Sequence, residues 1–225
     1  MTSREERLRG VLEPSTTAVL TMELQNGVVG EGAMMGALVE ELDREGTLDV
    51  VRRLCTGARE AGARVVHCTV MARPDGAGSS ENCKIFAMSA KQRREQGRTA
   101  TDIGTPGAEV IEGLEDPRDI VVPRLHGMTP FTSTSLDQIL RNLGIRTVVA
   151  TGVSVNLAIL GLCIEAVGLG YQVVLATDAV AGVPRDYAEA VVENTLALVA
   201  TCARVDEIIA CWPTTGAPAT KQFAT

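Results

Sequence analysis

The sequence predicts an α/β fold, a mostly parallel sheet with helices on both faces, and three observations carry that expectation. Short apolar runs bounded by turn residues alternate along the chain with segments of helical length. The runs are nearly continuous in Val, Leu, Ile and Ala, as strands buried on both sides require. The stretch from Arg146 to Pro184 is a complete βαβ unit. In it, Thr147-Val148-Val149-Ala150 is a strand, Thr151-Gly152-Val153-Ser154 a turn, 156–169 an apolar helix closed by Gly170, and 171–175 the next strand, with Asp178-Ala179 at its carboxyl end. In open sheets of this kind ligands bind in the crevice at the carboxyl ends of the strands, so chemistry is expected around 154–158.

Taken in order, residues 1–15 are charged and polar and read as a flexible arm, followed by a single domain over 16–212. Ala18 to Met22 is the first strand, and Glu23-Leu24-Gln25-Asn26-Gly27 lies at its carboxyl end. A helix begins within 33–42, and a clearer one spans 48–61, with Val50, Val51, Leu54 and Ala58 on one side and Gly62 at its end. Residues 64–69 form the second strand. Residues 72–107 are a long insertion with a short helix near 85–95 and a basic patch at Lys91, Arg93, Arg94 and Arg98; connections of that length are commonly binding loops or flaps. Ile120 to Pro123 is a strand, and 135–143 a helix with Leu136, Ile139, Leu140 and Leu143 as its apolar stripe. Residues 187–202 read as a helix, 206–212 as a short apolar strand or docking segment, and 213–225 as a flexible tail.

Among 225 residues, 45% are apolar and only 3% aromatic, so the core is to be built from Val, Leu, Ala and Ile. A net charge of -7 argues against nucleic acid or an anionic membrane as partner, and no uncharged apolar run is long enough to span a bilayer. Six cysteines without a Cys-x-x-Cys pair, and no leader sequence, point to a reduced cytoplasmic setting. A closed homo-oligomer is the default for such a protein.

The chain resembles the isochorismatase-like cysteine hydrolase family over roughly 18–209. The resemblance rests on Val19-Leu-Thr-Met-Glu-Leu-Gln-Asn-Gly27, Gly104-Thr-Pro-Gly-Ala-Glu-Val110, Asp119-Ile-Val-Val-Pro123, Pro130-Phe131 with Thr134 and Leu136, Val149-Ala-Thr-Gly-Val153, and Gly170-Tyr171 through Asp178-Ala179, all in the family's order. It implies a doubly wound, mostly parallel sheet of six strands in a three-layer α/β/α arrangement. It also implies hydrolysis of small amides, carbamoyl or ureido compounds, or cleavage of the isochorismate enol ether, and a homodimer or homotetramer. The amide-cleaving members use an Asp, a Lys and a Cys, with a cis peptide before the nucleophile that would fall near Val153-Ser154.

At all three catalytic positions this chain differs. Glu23 stands for the aspartate, Arg124 for the lysine and Ala158 for the cysteine. A methyl group cannot attack a carbonyl, and a guanidinium is a planar fork that keeps its proton. The expected function is therefore binding of a small polar carbonyl or carboxylate ligand without amide hydrolysis. The alternative is an active hydrolase or lyase that uses Glu23 and Arg124 on a small amide, ureido or enol-ether substrate, with Glu23 activating water and Arg124 polarising oxygen. Gln25, His67, Phe131, Gly152, Val153, Ser154 and Asn156 are the candidate ligand-binding residues. Asn156 is also a natural helix cap, and His67 can equally pack beside a strand. His126 either lines the same pocket or lies on the surface. Cys68 near a strand end and Cys83 in the insertion are the candidate substitute thiols, whereas Cys163, five residues past Ala158 and about 140° around the helix, reads as a small buried hydrophobe. No metal or other cofactor is expected, because the zinc-binding relatives use an Asp and two closely spaced His residues, and only His67 and His126 exist here.

Overall fold

In the computed structural model, which describes residues 3–30, 33 and 35–212, the apolar runs become six parallel strands. They are β1 (Thr17–Met22), β2 (Arg64–Val70), β3 (Ile120–Arg124), β4 (Thr147–Val153), β5 (Gln172–Ala181) and β6 (Thr201–Ala203). Their spatial order is β3-β2-β1-β4-β5-β6. The chain winds outward from β1 in one direction and from β4 in the other, so a crevice opens between the carboxyl ends of these two neighbours. That is the doubly wound six-stranded architecture.

Alternation along each strand fills two separate cores. Val19 of β1, Val149 and Val153 of β4 and Val174 of β5 pack on one face with helices α3 (Gly36–Glu45) and α4 (Thr47–Ala61). Leu20 and Met22, Val148 and Ala150, and Val173 and Leu175 pack on the other, with α6 (Leu136–Asn142), α7 (Leu160–Gly168) and α8 (Arg185–Val191). β1 and β4 are buried along their whole length, which explains their lack of a polar face. Gly62 and Gly170 stop α4 and the segment after α7 with φ of 85° and 91°, a conformation that any Cβ disfavours. The remaining short helices are α2 (Asn26–Val29) after β1, α5 (Lys84–Gln96) in the insertion and α9 (Ala197–Val199).

Three segments differ from the expectation. The arm contains a helix, α1 (Arg4–Val11), opened by a capping box between Ser3 and Glu6; Leu8 and Leu12 are buried under it. Residues 206–212 belong to a helix, α10 (Val205–Cys211), because Val205, Ile208 and Cys211 recur at i, i+3 and i+6 and face the core. Trp212 Nε1 then donates to the Leu12 carbonyl at 2.9 Å, tying this end to α1. The long helix read at 187–202 breaks after α9, and Thr201–Ala203 pair with Val174–Ala176 as the edge strand β6. The tail expected over 213–225 lies outside the described residues. No helix among the described residues is long and apolar enough to cross a membrane.

Candidate active site at the switch point of the sheet

Glu23 follows β1, Arg124 ends β3 and Ala158 lies in the turn that follows β4, all at the carboxyl end of the sheet. Glu23 follows β1 with a φ of 56°, and its N–H donates to the Cys68 carbonyl at 2.9 Å, so the turn is fixed against β2. Arg124 ends β3 and is 3% exposed. Its Nη2 donates to Glu23 Oε1 and its Nε to the Gly127 carbonyl at 2.8 Å. Nη1 is buried and has no hydrogen-bond partner among the described residues. Ala158 is 4% exposed and packs in the same apolar cluster as Met22, Cys68 and Val122. Leaving a buried donor such as Nη1 unpaired costs about 1–3 kcal/mol.

Cys68 is close enough to this ion pair to feel both of its charges. It is buried, and desolvation pushes its thiol up to about 12; the nearby Arg124 charge only partly opposes that. Burial likewise pushes Cys55 and Cys163 up to about 12. Cys83 precedes α5 and is half-buried.

β4 turns into its helix through a cis Val153-Ser154 peptide, at the position the family resemblance implies. Gly152 there has φ of 105°, and a Cβ would fall against the Met22 backbone. The helix does not begin with a regular turn: Val155–Ile159 is a wider π turn that leads into α7. Asn156 does not cap it. Ser154 Oγ donates to Asn156 Oδ1, and Asn156 Nδ2 donates to the Val183 carbonyl at 3.2 Å, stapling this turn to the end of β5.

Several expected ligand contacts are occupied by the protein itself. Gln25 is fully buried. It donates to the Val70 carbonyl at 2.8 Å and accepts from the Val70 N–H at 2.7 Å, clamping the end of β2 as another strand would. His67 is 1% exposed, with Nδ1 2.7 Å from Thr21 Oγ1 and Nε2 3.0 Å from Asp119 Oδ2. Arg59 completes that buried cluster at 2.5 Å from Asp119. His67 therefore has no ring atom left for a ligand. Phe131 is 7% exposed and stacks on Tyr171 with ring centroids 5.8 Å apart, and the Val153 side chain is buried in the core on the α3/α4 face. These residues support the site and do not line it. The buried cluster was beyond sequence reasoning because His67 and Asp119 meet only through the β2–β3 register.

Two cavities, of about 320 and 310 Å³, are not lined by Glu23, Arg124 or Ala158. One, of about 310 Å³, lies between the insertion and the turn 125–127, where His126 stands 5.0 Å from Phe86 between ring centroids. It shares Gly127 with the Arg124 site. No three His, Cys, Asp or Glu side chains among the described residues converge as metal ligands, and Asp75 in the insertion is paired with Arg73 at 2.7 Å. The residues present do not fit the zinc set of an Asp and two His.

A doubly wound six-stranded sheet with a carboxylate–guanidinium pair at its carboxyl edge, and a cis peptide at the end of β4, defines the class of fold. The chain belongs to the isochorismatase domain family, whose pattern it matches over residues 17–207. It is similar to the ureidoacrylate amidohydrolase RutB of Pseudomonas savastanoi pv. phaseolicola, 27% identical over 195 residues that cover 83% of this chain and 78% of that protein. The RutB protein of Agrobacterium fabrum is 29% identical over 177 residues, covering 75% and 77%. Among solved structures, an isochorismatase family protein from Desulfovibrio vulgaris superposes with a TM-score of 0.73 at 28% identity, covering 87% of this chain and 98% of that one. A cysteine hydrolase from Pseudomonas syringae pv. phaseolicola superposes with a TM-score of 0.73 at 21% identity, covering 89% and 94%, which speaks for the fold alone.

Proposed function

We propose that this protein is a cysteine-independent hydrolase of a small polar amide or ureido substrate, with Glu23 and Arg124 as its reacting groups. The observation that carries this reading is the buried Nη1 of Arg124, which lacks an acceptor among the described residues while Nη2 of the same guanidinium is paired with Glu23 Oε1. The ureidoacrylate amidohydrolases among its relatives make a ureido or amide carbonyl the natural acceptor. In the step, Glu23 Oε2 takes a proton from water as the oxygen attacks the carbonyl carbon. The carbonyl π pair moves to oxygen, and the negative charge forms against Nη1. When the tetrahedral species collapses, the C–N bond breaks and the proton held by Glu23 passes to the departing nitrogen. Arg124 gives no proton at any stage.

A second reading, ligand binding without turnover, is favoured by the methyl of Ala158 and by the closed state of the ion pair. One experiment separates them: ammonia release from ureidoacrylate, ureidopropionate and nicotinamide, before and after iodoacetamide treatment. The hydrolase reading expects turnover that survives alkylation, falls by about 10²-fold or more in Glu23→Gln, and falls by about 10²–10³-fold in Arg124→Met. Saturable binding of these compounds with no ammonia released would replace it with the binding reading. Turnover abolished by alkylation would refute both.

A further inference from the structure

Past the ends of β2 and β3, the cavity between the insertion and the turn 125–127 encloses about 310 Å³, the lower end of the range of about 300–1,000 Å³ for small-ligand pockets. Val70, Met71 and Leu125 give it apolar walls. Phe86 and His126 form one side, their ring planes tilted by 37°. Three charged side chains line it: Arg93, Arg94 and Glu81.

The two arginines differ in what they have left to offer. Arg93 is committed to structure. It donates to both oxygens of buried Asp102, at 2.6 and 3.2 Å, and to the Pro74 carbonyl at 2.7 Å. Among the described residues Arg94 bonds Glu81 alone, at 2.7 Å, and both partners of that pair are more than half exposed (60% and 51%). Exposed pairs of this kind contribute little, so a ligand carboxylate can take the Arg94 fork from Glu81 with small loss and gain bidentate charge-assisted bonds. The lining offers no second carboxylate, so Glu81 alone competes with an anion for Arg94 there. The cavity also adjoins the reacting groups. Gly127 lines it while its carbonyl holds Arg124 Nε, and Val70 pairs with Arg124 across the β2–β3 register.

We infer that this cavity receives the carboxylate end of the substrate, with Arg94 as the carboxylate-binding and specificity-determining residue and the Phe86–His126 pair as the surface against which the substrate's body lies. The substrate class is then a short amide or ureido acid. The carbonyl end of that assignment rests on the function proposed for Arg124; the carboxylate end rests on the cavity.

Two probes of equal length separate these ends. Ureidopropionate carries a carboxylate where propylurea carries a methyl, and both present the same ureido carbonyl. Calorimetric titration of the full-length protein is expected to show ureidopropionate binding about tenfold or more tighter than propylurea. Arg94→Gln, an exposed helix position, is expected to weaken ureidopropionate by about that factor and leave propylurea unchanged. Arg124→Met is expected to weaken both probes alike. Equal wild-type affinity for the two probes, no binding of either, or unchanged ureidopropionate affinity in Arg94→Gln overturns the inference. If Arg94→Gln acts selectively while Arg124→Met changes neither probe, the carboxylate site stands and the carbonyl reading falls.

Discussion

At the scale of single residues, the site is governed by the difference between an amine and a guanidinium. An amine can lend its proton and rotate its donors, whereas Arg124 is fixed in a plane by Gly127 and Glu23 and has one nitrogen over. Cys68 stands close enough to feel the charges of both Arg124 and Glu23. Burial decides the chemistry of that thiol, because only a thiolate reacts and burial disfavours the thiolate. Alkylation followed by peptide mass spectrometry is accordingly expected to modify Cys83 of the native protein first. Cys55, Cys68 and Cys163 should react only under denaturing conditions. Native labelling of Cys68 at a rate comparable to Cys83 would show that the ion pair opens and would reinstate a sulfur nucleophile.

At the scale of elements, the insertion raises the question of what holds it. Helix α5 has no buried residue, and a helix of 13 residues is marginal by itself. Its anchor is polar: Arg93 grips Asp102, which also accepts from Thr99 Oγ1 at 2.5 Å, while across the neck of the insertion the Ala72 N–H donates to the Thr101 carbonyl and the Ala72 carbonyl accepts from the Ile103 N–H. Arg93→Ala should release α5 without unfolding the sheet. Limited proteolysis within 73–101 is expected to speed up about tenfold, while the denaturant midpoint of the domain moves little. An unchanged cleavage rate would mean that apolar contacts of Phe86 hold the helix. The basic patch of the insertion was visible in the sequence. Which arginine is a strut and which is free was not, since Arg93 and Arg94 are adjacent and only their packing separates them.

For the whole molecule, strands β1 to β5 and the switch point between β1 and β4 were legible because continuous apolar runs and turn residues are local signals. The α10 and β6 assignments failed where a short apolar segment fits either period, and α1 was missed because a polar helix shows its two buried leucines only once α10 is in place. Gln25 and His67 misled for a related reason: a polar residue at a strand end looks the same whether its partner is a ligand or the backbone of the next strand. These inward-turned groups have a global consequence. Burial of Asp119 raises its carboxyl, but hydrogen bonds from His67 and Arg59 and the charge of Arg59 outweigh it, and the net direction is down. Asp102 behaves alike, with burial opposed by Arg93 and Thr99. A carboxyl held below its unfolded value of about 4 contributes stability that is fully present above that pH and is lost as pH falls through the folded value. Urea midpoints should therefore be flat from about pH 7 to 5 and fall steeply below about pH 4. Asp119→Asn should lower the plateau by about 3 kcal/mol, since Arg59 is left buried without its partner, and should flatten the acid fall. A variant as stable as the parent at neutral pH, with the same acid limb, would show that the Arg59–Asp119–His67 cluster does not couple the two layers it joins.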